Sequence, residues 1–310
     1  MKKIMSGLVL FILIIIFIII YINQNTVVNY IASEFVYKNM NIKQYNNNYT
    51  KLIDIEFVKM TDDFHPDNKQ DLFNIFYTSL NNGVDSFMYY CDEKYKDCLK
   101  DTEDIANDQT NLSIINNFVH PYNSYKQLNF SINSYNLVEI DIIKQYDQED
   151  INEIEKKMDE IITTLINDSM NDYDKMKIFH DHIVNNSKYD NIKADSITNN
   201  TKDKSQFESD KATGVLLNGH GICSGYSDTF DIFLYKIGIA SYKISSPSHI
   251  WNLVKTNEGW KHIDVTWDNP NVSDGSKLLL HDYFSIDYNT LKKLDPQHHN
   301  FDENIFKEAL

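Results

Sequence analysis

Arginine is absent from the 310 residues, so apart from histidine every basic side chain is a lysine. Bidentate forks for phosphate are therefore missing. The lysines are also outnumbered, 29 basic against 45 acidic residues, for a net charge of −16. A chain of this balance is not built to bind nucleic acid, and its body would be repelled by an anionic lipid surface. Glycine and proline are scarce, at nine and five, which argues against long flexible linkers. There is no internal repeat and no long low-complexity stretch. What is present is ordinary globular composition, 42% hydrophobic and 24% charged, which excludes a wholly disordered chain. The length suits about two average domains.

One hydrophobic run stands apart. Lys2 and Lys3 precede 19 unbroken apolar or small residues, Ile4 to Ile22. A helix of that length spans roughly 28 Å, enough for a bilayer core. No small-residue cleavage pattern ends the run, and the lysines favour a cytoplasmic N-terminus. The expectation is a single-pass signal anchor over 1–23, membrane contact through 4–22, and an extracytoplasmic remainder. A cleaved signal peptide is the alternative.

The three cysteines fall into two contexts. Cys91 and Cys98 lie close together in YYCDEKYKDCLK and could pair outside the cytoplasm or remain two free thiols. Cys223 is far from both. Residues 24–150 read as an N-terminal extracytoplasmic region with a helix over Asp71–Leu80 and a strand over 137–145, but without a catalytic constellation. Residues 151–310 read as the catalytic domain. Apolar spacing predicts a helix over 148–167, and another begins where Asp172 can cap it. The polar segment 191–206 reads as a surface loop. A third helix starts near Cys223 and ends before Gly238, followed by strands beginning near 239, 249 and 260, the last two joined by a turn at Thr256–Gly259. Helices first and an antiparallel meander after them indicate an α+β fold.

The chemistry concentrates in this second half. Cys223 sits in GHGICSGYSDTF, where glycines 219, 221 and 225 allow backbone to pack closely around the thiol. The helix beginning there points its positive end at the sulfur, an arrangement that favours thiolate. A thiol nucleophile needs a proton shuttle, and His249 lies 26 residues on. Asp264 follows 15 residues later on the partner strand. If Trp251 lies opposite Asp264, His249 and Asp264 share one sheet face; a one-residue slip would separate them. His180, His182, His220, His262, His298 and His299 are the competing histidines. No repeated Cys/His spacing supports a metal site, so neither metal nor cofactor is expected.

The ordered motifs GICSGY, HIWN and HIDVTWD resemble the transglutaminase-like superfamily of papain-related thiol enzymes. DYDKMKIFHDHIVNNSKYDN (172–191) resembles the helix preceding the catalytic cysteine in bacterial members, and HDYFSIDYNTLKKLDPQHHNF (281–301) resembles their closing segment. The resemblance covers about 172–301. It implies a transglutaminase-like or papain-like core of helices packed on an antiparallel sheet, with Cys223 as nucleophile, His249 as base and Asp264 as orienting acid. It also implies a transition-state donor upstream of the cysteine. Tyr189 is the aromatic nearest that place, either as that donor or as a packing residue. The implied activity is attack on a carboxamide or peptide carbonyl through a cysteine thioester, leading to cross-linking or hydrolysis of a protein or peptide substrate. The topology suggests cell wall or surface protein. A non-catalytic surface binding or scaffolding module on the same fold is the alternative.

Overall fold

The computed structural model describes residues 55–270 and 278–310, and the apolar run expected to anchor the chain lies outside them. No helix of the described residues is long and apolar enough to cross a membrane.

The first half builds a helix-and-sheet layer. Helix α1 (Lys69–Asn81) is opened by Asn68, whose side chain accepts the N–H of Asp71, and it buries Leu72, Ile75, Phe76 and Leu80. Strand β1 (Ser86–Tyr90) follows, then α2 (Cys98–Asn107) and α3 (Gln109–Phe118). Strands β2 (Tyr125–Ile132) and β3 (Leu137–Lys144) complete an antiparallel sheet of order β1-β3-β2. Cys91 and Cys98 are joined by a disulfide, with Cα atoms 5.4 Å apart.

The second half carries the helices. Helix α4 (Gln148–Leu165) starts in a reciprocal capping box between Asp147 and Asp150 and buries Ile154, Met158 and Ile161. Helix α5 (Asp172–Asn186) is capped by Asn171, which accepts the N–H of Asp174; Asp172, expected as the cap, is the first helical residue. The expected loop over 191–206 begins instead with helix α6 (Asn191–Thr198), because the buried Asp190 accepts the N–H of Lys193 and starts a turn. Helix α7 (Ala212–Asn218) ends on Gly219, whose φ of +66° is the left-handed stop that glycine supplies most easily. Helix α8 (Cys223–Lys236) runs to Gly238, at φ +77°.

Three strands then form a meander: β6 (Ser241–Ser245), β7 (Ile250–Thr256) and β8 (Gly259–Ile263), in that order across the sheet. This sheet is covered on both faces. Tyr242, Ile244, Trp251 and Leu253 join the core of the first-half residues, whereas Val254 and Ile263 join the core of α4, α5, α7 and α8. Burial on both faces explains why all of Ser241–Ile244 is buried, although polar Ser241 and Lys243 alternate with Tyr242 and Ile244. A short helix α9 (Tyr288–Leu294) leads to the C-terminal segment.

Candidate active site

Each member of the constellation is delivered by a different piece of backbone. Cys223 is the first residue of α8, and no side chain caps that end. Helix geometry gives its N–H no intrahelical acceptor. The approach is close: a Cβ on Gly225 would lie 2.3 Å from the Ser209 carbonyl oxygen, so only glycine lets the helix start this near the 209–211 backbone. Two short parallel strands precede the helix. In them β4 (Lys188–Tyr189) pairs with β5 (His220–Gly221), setting Tyr189 beside Gly221, two residues before the thiol.

His249 sits one residue before β7 rather than on it, held by a turn in which its N–H reaches Ser246 Oγ and its carbonyl accepts the Ser246 N–H. Asp264 follows β8 directly. The ladder places Leu253 opposite His262 and Asn252 opposite Ile263; carried one residue further, it sets Trp251 against Asp264. That is the parity in which His249 and Asp264 share a face. His249 Nε2 lies 2.5 Å from Asp264 Oδ2, and the imidazole lies near enough to Cys223 for the two groups to interact electrostatically. With Nε2 committed to the carboxylate, Nδ1 is the nitrogen left for the thiol.

Burial opposes charge on His249, whose side chain is 8% exposed, but the Asp264 carboxylate and then Cys223 outweigh it and lift the imidazole from 6.5 to about 10. Burial likewise opposes the Asp264 carboxylate, yet His249 and His299 together hold it well below the usual carboxylate range. Its other oxygen, Oδ1, accepts the N–H groups of Thr266 and Trp267. Tyr189 is half-buried. Burial first, then the nearby Cys223 and Asp264, push its phenol up to about 12, so it keeps its proton as a donor at neutral pH.

The remaining histidines separate cleanly. His299, grouped with the competing histidines, is the residue the spacing missed: fully buried, it places Nε2 2.9 Å from Asp264 Oδ2. Tyr283 stacks on it, and Trp251 and Trp267 wall its ring. The signal was the HHNF end of the closing segment, but a partner 35 residues away has no local pattern. His262 has a different task. Its Nδ1 accepts from Trp251 Nε1, its Nε2 donates to the Ala309 carbonyl, and burial pushes it down to about 4. It is a neutral core residue. His180 belongs to another cluster, and His220 stacks on Phe207.

Asp264 can thus fix one tautomer of His249, and His249 can take a proton from a thiol at an open helix N-terminus. Comparisons with known proteins add little. No family model and no curated protein matches the chain. Among solved structures it is similar to a TGase, at 14% identity and a TM-score of 0.35, over 64% of this chain and 56% of that one. It is also similar to a Cytophaga hutchinsonii protein proposed to be a cysteine protease, at 12% identity and a TM-score of 0.27, over 45% of this chain and 61% of that one. The chain therefore spans somewhat over half the length of either, and scores this low carry no argument for function.

Proposed function

We propose that this chain is a thiol enzyme of the transglutaminase-like type, acting on a carboxamide or peptide carbonyl. The observation that carries the reading is the His249–Asp264 pair at 2.5 Å with Cys223 acting on the same imidazole: the carboxylate takes one ring nitrogen and leaves the other for the thiol. His249, raised to about 10, already holds the proton that the thiol gives up, and the sulfur attacks the carbonyl carbon. The tetrahedral oxyanion is met by the Cys223 N–H, with the Tyr189 hydroxyl as a second donor. Collapse expels the amine, which leaves with the proton held by His249, and a thioester remains on Cys223. Water then gives hydrolysis, or a lysine-type amine gives a cross-link; the chemistry up to the thioester is common to both.

The apolar run at 4–22 favours a chain anchored in the cell membrane with its catalytic part outside, facing cell-wall peptide or surface protein. No metal or cofactor enters this chemistry.

The test is direct. The full-length chain is incubated with a glutamine-containing peptide and a biotinylated primary amine, and intact mass is followed. The expected result is an acyl adduct on Cys223 that resolves to free acid or to amine conjugate, and that is lost in Cys223→Ala with an unchanged unfolding midpoint. A wild-type chain that forms no adduct and releases no ammonia with any carboxamide or peptide offered would leave the binding-module reading as the better one.

A further inference from the structure

A second polar cluster lies where α5, the turn after Asp264 and the segment around Tyr283 meet. His180 is fully buried on α5 and its Nε2 is 3.1 Å from Asp268 Oδ2, itself fully buried. The other oxygen of Asp268 accepts the Tyr283 N–H. His180 Nδ1 is 3.1 Å from Asp181 Oδ1, and His281 Nε2 approaches that same oxygen to 2.6 Å. Lys177 Nζ stands 2.9 Å from His281 Nε2 and 2.8 Å from Asp181 Oδ2.

The protons of this cluster cannot all be placed. Asp268 is an acceptor, so His180 carries its proton on Nε2, and the neutral ring then turns a lone pair from Nδ1 toward another acceptor, Asp181 Oδ1. Lys177 only donates, so His281 Nε2 must accept from it, while the same nitrogen must donate to Asp181. Charging both imidazoles relieves the first conflict but sets the Lys177 ammonium against a His281 N–H, donor against donor. A divalent cation in place of the Lys177 ammonium removes these conflicts, because it takes lone pairs from His180 Nδ1, Asp181 Oδ1 and His281 Nε2 at once. These three atoms lie within 4.8 Å of one another. Tetrahedral zinc with bonds of about 2.0–2.1 Å sets its ligand atoms about 3.3 Å apart. The contact of 3.1 Å already fits, and that of 2.6 Å needs His281 to retreat by well under an ångström. His281 is 36% exposed, and Lys177, 38% exposed on a flexible stem, can swing to solvent. Asp268 is then the outer carboxylate that fixes the tautomer of a metal-bound histidine.

We propose that His180, Asp181 and His281 form a binding site for a divalent transition metal of the zinc class, with Asp268 orienting His180 and Lys177 occupying the site in competition with the ion. The site is separate from the thiol centre but tied to it. Asp268 belongs to the turn that starts at Asp264, since its N–H bonds the Asp264 carbonyl. The ion would pin α5, that turn and the 281–284 segment together, a structural staple beneath the catalytic carboxylate.

The experiment uses the untagged full-length chain carrying Cys223→Ala, so that the thiol offers no rival ligand, stripped of metal by a chelator. Cobalt(II) is the probe and zinc the competitor, with binding read from visible absorption and calorimetry, and melting followed in parallel. One equivalent of cobalt should bind with a tetrahedral spectrum, be displaced by zinc, and raise Tm. His281→Ala should weaken binding about tenfold or more, as loss of a ligand or its support does. Lys177→Ala should tighten it, because the competing ammonium is gone. Absence of stoichiometric binding overturns the proposal. So does binding unaffected by His281→Ala, which would place the ion elsewhere, and so does weaker binding in Lys177→Ala. Both variants alter partly exposed side chains, so loss of the fold does not obscure the outcome.

Discussion

Replacing Asp264 by asparagine tests the arrangement at its centre. All four contacts of this carboxylate are with donors: His249 and His299 on Oδ2, and the Thr266 and Trp267 N–H groups on Oδ1. An amide keeps one acceptor oxygen and turns the other position into a donor. The two backbone N–H groups cannot change, so the amide oxygen should face the turn and the NH2 should face the imidazoles. His249 must then accept on Nε2 and carry its proton on Nδ1, which turns a donor toward Cys223 and removes the base. The charge is lost as well. The rise of His249 from 6.5 to about 10 corresponds to about 5 kcal/mol favouring its charged form, the net of Asp264 and Cys223 against burial. With that support gone, only Cys223 opposes burial, and His249 should titrate well below 10. The assay is two-dimensional NMR of ring-labelled histidine across pH, beside single-turnover acylation. The acylation rate should fall by roughly 10⁴, the scale seen when a tautomer-fixing aspartate becomes asparagine in a serine protease. If His249 still titrates near 10 in the variant, Asp264 is not the cause of the shift and the reasoning fails.

His299→Phe keeps an aromatic ring among Trp251, Trp267 and Tyr283 but removes the second donor to Asp264. We expect about 1.5–3 kcal/mol of lost stability in urea, the value of a hydrogen bond to a charged group, and a changed His249 titration; an unaltered titration would reduce His299 to packing. Stability should also depend on pH through two histidines of opposite sign. His262, depressed to about 4, gives stability that is complete above 6.5 and lost as pH falls, roughly 2 kcal/mol by pH 5. His249, raised to about 10, gives stability that is complete below 6.5 and lost as pH rises through 10. Urea midpoints from pH 5 to 10 should peak near 6.5, and His262→Phe should flatten the acid side; an equally steep acid side in that variant would contradict the assignment. Reducing the Cys91–Cys98 disulfide should cost about 2.5 kcal/mol and leave acylation unchanged, a joint outcome that paired denaturation and activity measurements check. Lys243→Met strands Asp228, its partner at 2.6 Å, and should cost about 3–5 kcal/mol. Adding Asp228→Leu should recover much of that, and a double variant no more stable than the single one would contradict the pairing.

The helices could be read from the sequence wherever one face is apolar. Leu72, Ile75, Phe76 and Leu80 place α1, and Ile154, Met158 and Ile161 place α4, because a period of 3.6 survives in the residues themselves. Helix α6 could not be read this way. Its residues are mostly polar, it buries only Ser196, and it starts because Asp190 caps it. Composition therefore favoured a loop. Helix α8 was legible in position but not in its surroundings. Its apolar face predicts one buried side, yet every residue from Gly225 to Leu234 is buried, Asp228 and Asp231 included. Their partners, Lys243 and Ser241, lie on β6. A pattern that sends charge to the surface has no means of anticipating a lysine on a strand meeting an aspartate on a helix.

The same limit divides the site. Cys223, His249 and Asp264 could be proposed as a set because each pairing follows from local rules: a helix start, a two-strand register, an alternation of faces. Only the parity of the register stood open, and the Leu253–His262 pair settles where the two strands place Asp264. His299 and Asp268 follow from no local rule. His299 reaches Asp264 across 35 residues, through backbone that returns to the sheet edge by the exchange of hydrogen bonds between His262 and Ile286, and Asp268 reaches His180 across 88. That return brings the Tyr283 carbonyl onto the Asp264 N–H and the Tyr283 N–H onto Asp268. One short crossing therefore anchors Asp264 and Asp268 together. It follows that the carboxylate at the thiol centre is positioned less by its own strand, which ends at Ile263, than by the closing segment laid over it.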